Sequence, residues 1–189
     1  GSHPARFDAA LSEEGWVLLW SSSNPSALHL LHENGQQFSS PLSGSSACTV
    51  GDPIVFDREK DGIPEFLIAC GDHVFGFHAN GTLMDDYPFQ AFGHVLSDLI
   101  VVESPELNQQ MALFQTSEGS LDGIELEGDV RRSEGFPLSS GHASTIAPTV
   151  IVSPETQDLG LSPIFLSLSN QGALSGWVAA DNRSIVSRP

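Results

Sequence analysis

His73-Val-Phe-Gly-Phe-His-Ala-Asn-Gly81 is an apolar stretch that runs into an Asn-Gly pair. It reads as a β-strand closed by a tight turn, because glycine reaches the left-handed backbone that such a reversal needs. The same design recurs at Ser26-Ala-Leu-His-Leu-Leu-His-Glu-Asn-Gly35 and Ser120-Leu-Asp-Gly-Ile-Glu-Leu-Glu-Gly128, with a weaker copy at Ala173-Leu-Ser-Gly-Trp-Val-Ala-Ala-Asp181. Gly35, Gly81 and Gly128 are spaced 46 and 47 residues apart, and Asn182 takes the fourth turn 54 residues later. A second landmark follows the first three turns, as Ser40-Pro-Leu, Tyr87-Pro-Phe and Phe136-Pro-Leu.

Between these landmarks, short runs rich in Val, Ile, Leu and Phe alternate with Gly, Pro, Ser and Asn clusters. In the second repeat the runs are Ile54-Val-Phe, Phe66-Leu-Ile-Ala, Val74-Phe-Gly-Phe and Thr82-Leu-Met. In the third they are Leu99-Ile-Val-Val, Met111-Ala-Leu-Phe, Leu121-Asp-Gly-Ile-Glu-Leu and Asp129-Val-Arg-Arg. About four strands per repeat of roughly 47 residues is the arithmetic of β-propeller blades. The pattern predicts an all-β chain, a β-propeller or partial propeller of four four-stranded antiparallel blades, with regular helix near zero. The expected repeats are 5–44, 45–92, 93–140 and 141–189 of a single domain over 4–189, and Gly1-Ser2-His3 reads as a tag remnant.

The chain has 189 residues, 7 of them Lys or Arg against 24 Asp or Glu, for a formal net charge of −17. Lys60 is the one lysine, and Arg131-Arg132 is the longest basic cluster. Neutralising phosphates takes clustered cations, so nucleic acid and anionic membranes are not expected as partners. Apolar runs are far shorter than the roughly 20 residues of a membrane-crossing helix, so insertion is not expected. The carboxylates are scattered through loops, which suits solvation better than a single cationic partner. Cys48 and Cys70 are the only cysteines, compatible with one bridge or two buried thiols, and their low density favours the thiols.

One stretch carries a family resemblance. Ile54-Val-Phe, Asp57-Arg-Glu-Lys-Asp-Gly-Ile-Pro-Glu65, Phe66-Leu-Ile-Ala, Gly71-Asp72, Val74-Phe-Gly-Phe and Asn80-Gly81 follow one another in the order of an FG-GAP/VCBS-type propeller repeat. The likeness is clear over 51–83; elsewhere the strand pattern and turns continue without the acidic loop, as at Ser104-Pro-Glu and Ser153-Pro-Glu. The resemblance implies a periplasmic, extracellular or cell-surface protein whose repeats serve as scaffold, adhesion or lectin-like units.

Asp57, Glu59, Asp61 and Glu65 occupy positions 1, 3, 5 and 9 of the acidic hairpin, and Gly62 can make its sharp turn. Hard oxygens at alternate positions, completed by the Ile63 carbonyl, suit one structural Ca²⁺. Against it stand Glu59, where such loops usually carry Asp, and the positive Lys60; the alternative is a solvated acidic hairpin. His94 and His142 follow Gly93 and Gly141 just before the first strands of their repeats, as a pair for a metal or ligand or as structural imidazoles. Trp16, Trp20 and Trp177 offer either sugar-stacking faces or large core fillers.

No nucleophile elbow, Gly-rich phosphate loop or Cys-x-x-Cys pair occurs, so no enzyme is expected. The expected function is a non-catalytic propeller-like interaction or scaffold segment of a larger exported protein, meeting a protein or glycan at a surface. The alternative is a calcium-assisted, lectin-like glycan binder using the acidic loop with Trp20 and Trp177; a polysaccharide-acting enzyme depending on His94 or His142 ranks third. An open arc of blades would also self-associate to cover its apolar ends.

Overall fold

A computed structural model of the chain describes residues 7–12, 15–23, 25–42, 48, 50–104, 109–151, 164–178 and 183–188. The tag remnant, the Asn182 turn, Ser153-Pro-Glu and Pro189 lie outside the described residues. Among the described residues there is no helix, and every sheet is antiparallel. The chain divides into two compact units, 1–90 and 91–189.

The first unit holds two sheets. β1 (Phe7–Ser12), β2 (Gly15–Ser23), β3 (Ser26–His32) and β4 (Gln37–Pro41) pair in chain order, as do β5 (Ile54–Phe56), β6 (Glu65–Cys70), β7 (His73–Phe77) and β8 (Phe89–Gln90). In β2 the buried residues are Val17, Leu19 and Ser21, the period of two that sends alternate side chains to one face. Val17 and Leu19 join Leu28 and Leu30 of β3 and Phe66, Ile68, Phe75 and Phe77 of the second sheet in one core. β6 is buried along both faces.

Cys48 and Cys70 form a disulfide with Cα atoms 5.3 Å apart. This corrects the preference for thiols. Val50 bridges Cys70 in antiparallel pairing, which brings the approach to β5 alongside the end of β6. Closing a loop with a separation of 22 residues stabilises the fold by about 3 kcal/mol in the chain-entropy picture.

The second unit also holds two sheets. β9 (Ile100–Ser104), β10 (Gln109–Gln115), β11 (Ser120–Glu125) and β12 (Arg131–Arg132) pair in chain order, and β13 (Leu138–Ser139) adds a fifth strand against β11. The expectation of four strands in every sheet is therefore corrected for this one. β14 (Thr149–Ile151), β15 (Ile164–Leu168), β16 (Leu174–Val178) and β17 (Arg183–Arg188) complete the second sheet. Their shared core contains Met111, Leu113, Leu121, Leu138, Phe165 and Trp177. Gln115 ties the two sheets, donating to the Ile146 carbonyl at 2.7 Å and accepting from Ser167 Oγ at 2.7 Å.

The connections after third strands explain the repeat. Gly35, Gly81 and Gly128 adopt φ of 82°, 78° and 69°. Thr82-Leu-Met does not make the fourth strand of its sheet: Leu83 forms one isolated bridge to Phe77, and β8 takes that place. The reason lies at Gly76, where an added Cβ would stand 2.6 Å from the Tyr87 ring. The chain must swing across the bare glycine to seat that ring before it can pair again. Phe136 lies on Gly123 in the same way, with a Cβ there reaching Phe136 Cγ at 3.0 Å. Each aromatic precedes a cis proline, Pro88 or Pro137.

Candidate functional site

The acidic hairpin is held by its own carboxylates. Asp57 accepts the Asp61 N–H at 3.1 Å on Oδ1 and the Gly62 N–H at 2.9 Å on Oδ2. Asp61 accepts the Ile63 N–H at 2.8 Å, and Glu65 accepts the Arg58 N–H at 2.7 Å. Lys60 at φ 55° and Gly62 at φ 81° supply the left-handed steps that let the loop fold back on Asp57. Glu65 opens β6 with only 5% of its surface exposed. Burial pushes its carboxyl above the ordinary range; the Arg58 N–H opposes this, and the charges of Asp57, Asp61 and Glu59 add to the rise.

These hydrogen bonds stay within the loop. Three of the four carboxylates are turned to backbone donors of the same loop, and no group of three His, Cys, Asp or Glu side chains among the described residues is arranged to hold a metal. Ile63 is 44% exposed at the rim of a cleft.

That cleft, about 200 Å³, lies where the hairpin meets the first sheet. Its walls include Trp16, His32, Glu33, Asn34, Asp61 and Ile63. Trp16 is the second residue of β2 and is 42% exposed. Since Val17 and Leu19 point into the core, the pleat turns Trp16 outward. The turn after β3 holds it in place, because Glu33 Oε2 accepts the Trp16 N–H at 3.2 Å and the Glu33 N–H donates to the Trp16 carbonyl at 3.0 Å. Gly15 makes room, as a Cβ there would strike the Glu33 carboxylate. His32 Nε2 is buried and has no hydrogen-bond partner in the structure, and the ring packs edge-on to Phe38 with centroids 5.5 Å apart.

The other tryptophans are placed differently. Trp177 is buried at 3% exposure in the core of the second unit. Trp20 is half-buried and stacks on its cross-strand partner His29, with centroids 5.1 Å apart and planes 14° from parallel. Ser22 Oγ lies 2.9 Å from His29 Nε2, and burial lowers the imidazole's pKa. Neither ring lines the cleft.

His94 is exposed and anchored through its backbone, its N–H donating to Ser117 Oγ at 3.1 Å and its carbonyl accepting the Ser117 N–H at 2.8 Å. His142 is half-buried over Gly119, where a Cβ would stand 2.9 Å from the His142 nitrogen, and its Nε2 is buried. The second unit also buries an ion pair that the sequence reading missed. Asp122, fully buried, accepts from Arg132 Nε at 2.9 Å and Nη2 at 3.1 Å, and from the Phe92 and Gly123 N–H groups at 3.1 and 3.0 Å. With every lone pair occupied, this is the kind of buried pair that fixes a chain path.

Neither a known family model nor a curated protein matches the chain. Among solved structures, it is similar to a protein of unknown function from Bacteroides caccae, at 8% identity and a TM-score of 0.47, over 98% of this chain and 61% of that one.

Proposed function

We propose that the chain is a non-catalytic interaction segment of a larger exported or cell-surface protein, its four sheets serving as the blades of a propeller or partial propeller. The observation that carries the reading is the cleft at Trp16. A tryptophan 42% exposed on β2 and an isoleucine 44% exposed on the acidic hairpin line one cleft with hydrogen-bonding groups. Rigid aromatic anchors beside polar groups are what recognition sites present. The meander order of the four sheets supports the blade arrangement, and the disulfide accords with export to an oxidising compartment.

The test is photo-crosslinking in the parent protein expressed in its own host. Benzoylphenylalanine in place of Ile63 should capture a discrete partner, and the same group in place of Leu174, which is 37% exposed in the second unit, should not. Equal capture from both positions, or none from either, would overturn the reading.

A further inference from the structure

We infer that the Trp16 cleft takes the protonated side chain of a lysine or arginine on a partner protein, an inference that rests on the interaction reading above. The two charged side chains on its walls, Glu33 and Asp61, are both carboxylates. Each uses one oxygen on a backbone N–H, Oε2 for Trp16 and Oδ1 for Ile63. That fixes the carboxylates and leaves the second oxygen of each to a donor from outside. His32 also lines the cleft, and its buried Nε2 has no partner in the structure. A neutral imidazole can present that nitrogen as an acceptor.

The cleft is therefore biased toward a ligand that donates hydrogen bonds and carries positive charge. The exposed indole suits the same class, since an ammonium or guanidinium over a tryptophan face is attracted by the ring quadrupole. Ile63 supplies an apolar wall for the methylene stem that carries such a head group. Lys60 and Arg58 share the hairpin but are not on the cleft wall, and a chain of net charge −17 favours a basic ligand at long range.

The measurement is a titration of the whole chain followed by the indole N–H signals, using Nα-acetyl-lysine methylamide and its arginine counterpart. Nα,Nε-diacetyl-lysine methylamide, a neutral oligosaccharide and CaCl₂ serve as controls. The cationic amides should shift the Trp16 signal saturably, and the acetylated amide and the sugar should not. Trp16→Ala should weaken binding about tenfold and Trp16→Phe only a few-fold, as expected for loss or partial retention of a cation–π contact. The double variant Glu33→Gln, Asp61→Asn should weaken it about as much as Trp16→Ala, and should flatten the dependence on salt.

Saturable binding of the sugar without the amine would overturn the inference in favour of glycan recognition. Displacement of lysine by equimolar Ca²⁺ would overturn it in favour of an inorganic cation, and silence from every probe would end it. If crosslinking from Ile63 succeeds while the titration is silent, the cation is wrong and the interaction surface stands. If both fail, the surface itself is wrong.

Discussion

Single residues carry the repeat further than the turn glycines alone suggest. Gly76 and Gly123 occupy matching places in the third strands of their sheets, and each receives the flat face of an aromatic, Tyr87 or Phe136. A methyl group at Gly76 would overlap the Tyr87 ring, with three ring atoms between 2.6 and 2.8 Å away, whereas at Gly123 the nearest neighbours are at 3.0 Å. Gly76→Ala should therefore destabilise the fold by about 2–3 kcal/mol and Gly123→Ala by about 1 kcal/mol, the range of an overpacked core. Urea unfolding of both variants checks the order, and equal losses would contradict it.

His29 gives a pH dependence of predictable sign. Burial lowers its pKa in the folded state, so below the ordinary histidine value the unfolded chain binds more protons and stability falls. Stability should decline as pH drops from about 7.5 toward 5, a window set by the ordinary histidine pKa of about 6.5. In His29→Gln that part of the decline should be missing, and identical pH profiles for the two proteins would contradict the assignment.

The exposure of Trp16 was not legible in the sequence. Residues 16–20 are apolar at every position, and it is the structure that buries Val17 and Leu19 and so turns Trp16 and Trp20 to the opposite face. Parity alone left open that Trp20 would be covered by His29 and Trp16 would not, because the cross-strand register decides it.

At the scale of elements, the 57–65 hairpin was visible as an acidic loop, and in the structure its carboxylates brace the loop's own backbone. Asp57 accepts two loop N–H groups, and Asp61 and Glu65 one each. Sequence spacing locates the oxygens; it does not reveal that the loop's own backbone donors engage both oxygens of Asp57 and one each of Asp61 and Glu65. Asp57→Ala should lower stability by about 1–2 kcal/mol through the N–H groups it strands. Melting in millimolar CaCl₂ and in chelator should coincide for the unaltered chain, since a ligand bound to the folded state alone raises stability. A rise of several degrees with calcium would restore the ion to the loop.

The partners of this hairpin across the cleft were not readable from sequence at all. Trp16 and Glu33 belong to the first sheet and its β3–β4 turn and Asp61 to the β5–β6 hairpin of the second, and packing of the two sheets into one core brings them together. The disulfide was open for a related reason. Cys48 stands before β5 and Cys70 ends β6, so their approach depends on the pairing of Val50 with Cys70.

For the whole molecule, the period of about 47 residues predicted an all-β chain, and the four antiparallel meanders agree with it. Local patterning reaches that far because each meander is closed by short-range turns. How the sheets of each unit pack depends on contacts between repeats that no local pattern encodes.

The central proposal is that the sheets act as propeller blades, which sets first strands innermost and fourth strands outermost within each unit. Pulsed electron–electron spin resonance tests it most directly in the first unit, on one label pair at Asp8 of β1 and Ile54 of β5 and another at Ser39 of β4 and Gln90 of β8. The account predicts a clearly shorter distance for the inner pair than for the outer pair. An outer distance equal to or shorter than the inner one would contradict the blade arrangement.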